Sequence, residues 1–78
     1  MLGCELALSA AVAQTIREFR QDKGISQEKL AEAINSHQVY ISEIENGKKL
    51  PSLPIIYNIA KFYGLTLSEF INIVESKL

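Results

Sequence analysis

The side chains able to do chemistry in this chain are few, and the missing ones narrow the field first. Cys4 and His37 are the only cysteine and the only histidine in 78 residues. That excludes a four-ligand zinc site built on Cys and His, and an internal disulfide. The sequence carries no nucleophile–base pair, no paired carboxylates at helical spacing and no glycine-rich phosphate loop, so neither an enzyme nor a cofactor or metal site is expected. Cys4 has no charged neighbour to activate it and reads as a small, inert hydrophobe. What remains is a concentration of amides, hydroxyls and charges in two short stretches: Gln27-Glu28-Lys29-Leu30-Ala31, and Gln38-Val39-Tyr40-Ile41-Ser42-Glu43-Ile44-Glu45-Asn46-Gly47-Lys48-Lys49. Such groups recognise a partner through hydrogen bonds and charge rather than transform it.

The elements that must hold these stretches are all helical. A first helix is predicted from about Ser9 to Lys23, with Ser9 as N-cap, Val12, Ile16 and Phe19 at helical spacing, and Gly24 past its end. A second follows Ser26, another N-cap, and turns Leu30, Ala31 and Ile34 inward. After the polar break Asn35-Ser36-His37, a third runs from about Gln38 to Asn46, with Ile41 and Ile44 inward, and stops at Gly47. A fourth, after Ser52, carries Leu53, Ile56, Ile59, Ala60 and Tyr63 and closes at Gly64; a fifth opens on Thr66 and Glu69, the spacing of a capping box, and continues through Phe70, Ile71 and Val74. No sustained period-2 alternation suggests a strand. The expected fold class is therefore all-α: a single domain over residues 9–78, preceded by an N-terminal arm over residues 1–8. The second and third helices, joined by so short a turn, must cross steeply, which is helix-turn-helix geometry. On a wheel of about 100° per residue with Ile41 inward at zero, Ile44 falls at about 300° and Tyr40 at about 260°. Val39 and Glu43 point outward at about 160° and 200°.

From Ile16 to Ile71 the chain resembles the DNA-binding domain of the λ repressor, Cro and Xre helix-turn-helix family. The residues that carry the resemblance are Ile16-Arg17-Glu18-Phe19-Arg20, Gly24-Ile25-Ser26-Gln27, Leu30-Ala31, Ile41-Ser42, Glu45-Asn46-Gly47, Pro51-Ser52-Leu53 and Gly64-Leu65-Thr66-Leu67. Each element is weak alone, but their order and mutual distances form a strong joint signal. The turn departs from the family pattern: Asn35 stands where Gly is usual, Ser36 replaces an apolar residue, and His37 replaces the capping Ser or Thr, so that Ser36 is expected to cap instead.

The resemblance implies a five-helix DNA-binding domain whose third helix enters the major groove. It places Gln38, Val39 and Glu43 at base edges, where Gln can pair with adenine, Val can pack on a thymine methyl and Glu can accept from cytosine N4. It implies DNA-backbone contacts from Gln27, Tyr40, Ser42, Asn46, Gly47, Lys48 and Lys49, with Gln27 at the positive end of the second helix. Arg20 and Glu45 match positions that pair beneath the third helix and are assigned to structure.

Apolar residues exceed what a core of this size needs. Ile55 and Phe62, seven residues apart, form a second line on the fourth helix, and Phe70, Ile73, Val74 and Leu78 extend the fifth. This points to a homodimer through the C-terminal region, setting two reading helices about 34 Å apart for a palindromic site. The function expected is a small dimeric transcriptional regulator, most readily a repressor, with double-stranded DNA as partner and no small-molecule effector. The alternative is an antitoxin or similar module that uses the same fold to bind protein.

Charge and termini bound this reading. Eight Lys and Arg against nine Asp and Glu give a net charge of −1, and Arg17–Lys49 alone holds six of each sign. Hydrophobic residues at 47% and charged residues at 22% fit a globular chain, and no basic tail or polybasic membrane patch is present. The apolar N-terminus lacks a basic start and is interrupted by Glu5 and Ser9, so no secretory signal is expected; a cytoplasmic protein is.

Overall fold

The computed structural model describes residues 2–78, with side chains from Glu5 onward. Five helices account for it: α1 (Leu2–Asp22), α2 (Gln27–Ala33), α3 (Gln38–Glu45), α4 (Leu53–Phe62) and α5 (Leu67–Glu75), with no strand among the described residues. Helix α1 begins two turns earlier than its spacing suggested. Leu6, Ala7, Leu8, Ala10 and Ala11 are strong helix formers, and Ser9 sits among them as an interior residue rather than an N-cap. The segment expected as a separate arm is thus the first part of α1. Leu6 is 70% exposed and covers nothing; the side chains of Leu2 and Cys4 lie outside the described residues.

One face of α1, with Val12, Thr15 and Ile16, packs on Leu30 and Ala31 of α2, Ile41 and Ile44 of α3, Ile56, Ile59 and Ala60 of α4, and Phe70 and Val74 of α5. The Thr15 hydroxyl is satisfied within α1, donating to the Ala11 carbonyl at 2.7 Å, so its burial leaves no orphan. Two corrections follow from this core. Phe70 and Val74, expected at a dimer interface, are fully buried in the monomer, because α5 spends its short i, i+4 stripe on α1 and α4. Leu53, expected in the core stripe of α4, is 60% exposed; it opens the helix a turn ahead of Ile56, at the rim of a groove rather than beneath it. Ile71, 38% exposed on α5, borders the same groove. Ile55, Phe62 and Ile73 are half-buried, and Leu78 is exposed.

The helix ends are set by local chemistry. Ser26 Oγ accepts from the Lys29 amide at 3.0 Å, and Thr66 and Glu69 close both bonds of the capping box at 3.0 and 2.8 Å. Helix α2 stops where Asn35 enters the left-handed region at φ 56°. There the Ser36 amide reaches back to Ala31 O at 2.8 Å and the Asn35 amide to Glu32 O at 3.1 Å, a Schellman ending usually given to Gly. The cap of α3 is His37, extended at φ −119° and ψ 147° and making no side-chain cap bond; Ser36, the expected cap, is displaced because it is occupied in that ending.

Tyr63 closes the domain from α4. Its hydroxyl donates to the Ile16 carbonyl at 3.1 Å, and its ring stacks on Phe19 at 5.2 Å. Burial pushes the phenol's pKa well above its ordinary 10.0, with a smaller contribution from the Glu45 charge. Lys77 pairs with Glu18 at 3.2 Å, tying the last residues to α1.

The raised pKa of Tyr63 favours the protonated phenol in the native state. Its contribution is therefore complete below pH 10, and is lost above it as the unfolded chain ionises. Tyr63→Phe removes one buried hydrogen bond and should cost about 1 kcal/mol at neutral pH. It should also remove this alkaline loss, about 1.4 kcal/mol per pH unit above the unfolded pKa, so the gap to wild type should close near pH 11. Urea unfolding at pH 7 and pH 11 measures both; a gap of constant size would disprove the assignment.

Candidate nucleic-acid interface

The two polar stretches meet on one side of the fold, and a single carboxylate organises them. Glu45, in the last turn of α3, is buried, with its side chain 3% exposed. Arg20 of α1 approaches as a fork: Nε donates to Oε2 at 2.7 Å and an Nη donates to Oε1 at 3.0 Å, while the other Nη donates to the Ile25 carbonyl at 2.9 Å. The bond to Glu45 raises the guanidinium's pKa above its ordinary value, against the opposing effect of partial burial. Arg20 thus remains a cation, and no buried side-chain polar atom among the described residues lacks a partner. The expected structural pair of Arg20 and Glu45 is present in the geometry.

Beyond the pair lies an arrangement that sequence reasoning missed. Gln27, the first residue of α2, donates from Nε2 to Glu45 Oε1 at 3.1 Å. Its Oε1 then accepts from Gln38 Nε2, the first residue of α3, at 3.2 Å. The carboxylate can only accept, so it dictates which end of the Gln27 amide faces inward. Gln27 was expected to meet a phosphate; here it is half-buried and joins the buried pair to the head of α3. The available signal was that both glutamines follow a cap residue and open adjacent helices.

The remaining predicted residues divide clearly. Gln38 is exposed and Val39 is 68% exposed, while Glu43 stands half-buried beside them on the outward face of α3. Tyr40 is half-buried against the core. Ser42 Oγ accepts from the Asn46 side-chain Nδ2 at 3.4 Å. Gly47 holds φ 73°, letting the Lys48 amide return to Glu43 O at 2.9 Å and turning the chain sharply out of α3. Lys48 is exposed. Lys49 folds back instead: its ammonium lies 3.5 Å from Glu43 Oε1 and 5.9 Å from the Tyr40 ring centroid. Lys23 is drawn away from this surface, over the Phe62 ring at 6.0 Å. The predicted interface residues Ile55 and Phe62 do not join the apolar groove on this molecule, which has a volume of about 390 Å³ and is lined by Leu8, Leu50, Pro51, Leu53, Ile71 and Leu78 among others.

The chain matches known proteins in both sequence and structure. The helix-turn-helix family model HTH_3 covers residues 16–70. The chain belongs to the helix-turn-helix family. The transcriptional regulator DdrOP3 of Deinococcus deserti is 32% identical over 62 residues, which is 80% of this chain and 48% of that protein. This domain therefore spans about half the length of that relative. The control protein C.MunI of a Mycoplasma species is 36% identical over 63 residues, covering 80% of this chain and 85% of that one. Among solved structures, the restriction–modification controller protein C.Esp1396I, as a tetramer in complex with its natural 35 base-pair operator, superposes with a TM-score of 0.79 at 27% identity. The match covers 90% of this chain and 92% of the controller. No helix among the described residues is long and apolar enough to cross a membrane.

Arg20→Ala leaves the buried Glu45 carboxylate with a single amide partner. Loss of one member of such a pair should destabilise the domain by about 3–5 kcal/mol, lowering the melting temperature by more than about 10 °C in a protein of this size. A variant that melts within a degree or so of wild type would show that the pair does not hold the two helices together.

Proposed function

We propose that this chain is a sequence-specific DNA-binding transcriptional regulator of the controller type, acting in the cytoplasm as a small homodimer on a palindromic operator. The observation that carries the reading is the hydrogen-bonded line Arg20–Glu45–Gln27–Gln38, which fixes an amide at the exposed head of α3. The likeness to a controller solved on its operator, across nine-tenths of this chain, supports the same partner. Gln38, Val39 and Glu43 read base edges in the major groove. Tyr40, Ser42, Asn46, Gly47 and Lys48 lie toward the backbone, where hydroxyl, amide and ammonium donors position the helix without reading sequence. Regulation follows from occupancy: a bound dimer blocks access to the promoter that contains its operator. No catalytic step is involved.

With a net charge of −1, bulk DNA is bound weakly, and discrimination rests on short-range contacts. Selection from a random duplex library at low salt tests the whole reading: a palindrome should be recovered, and the absence of any enrichment defeats it. On that site, Gln38→Ala should cost about 1–3 kcal/mol and relax preference at one base position. Lys48→Ala should weaken all sequences alike and reduce the salt slope by about one.

The dimer surface we assign is the groove between α1, α4 and α5. Leu8, Leu50, Leu53, Ile71 and Leu78 remain exposed there as a contiguous apolar lining, and the solved controller assembles as a tetramer on its operator. A second copy is the occupant, and self-complementary burial of this face is the two-fold solution. Leu53→Asp places a charge in the groove without touching the core. Sedimentation should then show a monomer at tens of micromolar, whereas an unchanged dimer would send the interface elsewhere.

A further inference from the structure

Glu43 poses an electrostatic difficulty for any helix that enters a DNA groove. Its carboxylate stands on the outward face of α3 next to Val39, where a duplex would surround it with phosphates. The structure supplies a cation at that point. Lys49 leaves the chain four residues after α3 ends, yet its side chain returns to the helix. Its Nζ lies 3.5 Å from Glu43 Oε1 and 5.9 Å from the ring centroid of Tyr40. Tyr40 and Glu43 are three apart, one helical turn, so one ring face and one carboxylate of the same helix hold a single ammonium. The preceding residue, Lys48, forms no ion pair among the described residues.

We propose that Lys49 is a specificity-determining residue, the internal counter-ion that lets Glu43 face the bases, and not a donor to phosphate. This rests on the DNA-binding reading above and goes beyond it, because it gives the two adjacent lysines different work. Lys48 contributes to phosphate affinity. Lys49 offsets the repulsion on Glu43 and leaves Glu43 Oε2 free to accept. In the major groove cytosine offers an N4 amino donor, guanine and thymine present only acceptors, and adenine's N6 donor is flanked by the N7 acceptor that repels a carboxylate, so an anchored carboxylate selects cytosine at its position. The pair as a whole is neutral, so it approaches the duplex without the penalty of a lone carboxylate while keeping the acceptor that discriminates.

A double-mutant cycle on the selected operator tests this, with Lys49→Met, Glu43→Gln and the combined variant, and Lys48→Ala as the reference for a phosphate contact. Lys49→Met alone should weaken binding by about tenfold, through uncovered like-charge repulsion. In the Glu43→Gln background the same change should cost less than about twofold. Glu43→Gln should flatten the cytosine preference at one position. Equal losses in both backgrounds, as expected for a contact independent of Glu43, would make Lys49 a phosphate donor and overturn the proposal. A collapse of the melting temperature in Lys49→Met would make the residue structural and overturn it too. If the wild-type chain retains no duplex at low salt, the DNA-binding reading itself fails, an outcome separable from additivity in a chain that does bind.

Discussion

The bidentate contact between Arg20 and Glu45 constrains more of this molecule than its two residues suggest. The partners are 25 positions apart, so the bond forms only when α1, the corner at Ile25 and α3 are all in place. A guanidinium is a planar fork and accepts a carboxylate in few orientations, so it fixes direction as well as distance. Glu45 then orients Gln27, and Gln27 orients Gln38. The amide at the head of α3 is thereby aligned by a charge buried at the helix's other end. A buried ion pair is weak evidence for net stability, since apolar replacements often do as well, but here its geometry has a use that an apolar pair could not serve.

The same economy governs charge on the outer surface. Helix α3 carries two carboxylates, Glu43 and Glu45, and no cation of its own. Each is matched from outside the helix, Glu45 by Arg20 below and Glu43 by Lys49 beyond the C-terminal turn. An acidic helix thus becomes close to neutral at contact range, although the domain keeps its net charge of −1. Long-range attraction to a polyanion is small in such a protein, which favours discrimination over indiscriminate adhesion.

The elements legible in the sequence were those with local causes. Ser26 and the Thr66–Glu69 box declared two helix starts, glycines marked ends, and apolar spacing placed Ile16, Leu30, Ile41, Ile44 and Ile59 in the core. Four features were not legible, the first for a local reason and the others for non-local ones. Ser9 has the chemistry of a cap, but only the strength of the preceding Leu–Ala run decides whether the helix continues through it. Phe70 and Val74 read as surplus until α5 is seen to rest on α1, and Leu53 reads as core until α4 is seen to start beyond its cover. The exits of Gln27 and Lys49 depend on rotamers chosen among partners 11 to 18 and six residues away, which composition and periodicity do not record.

Leu50 and Pro51 line the apolar groove, and the chain residues just before them are Lys48 and Lys49. A second copy seated in the groove would restrain the very loop that leaves the reading helix, and a duplex that restrains the loop would in turn prearrange the groove. Thermodynamic reciprocity then requires each event to strengthen the other by the same factor. In such a dimer, operator occupancy would rise with roughly the square of protein concentration when monomer predominates, giving a threshold response.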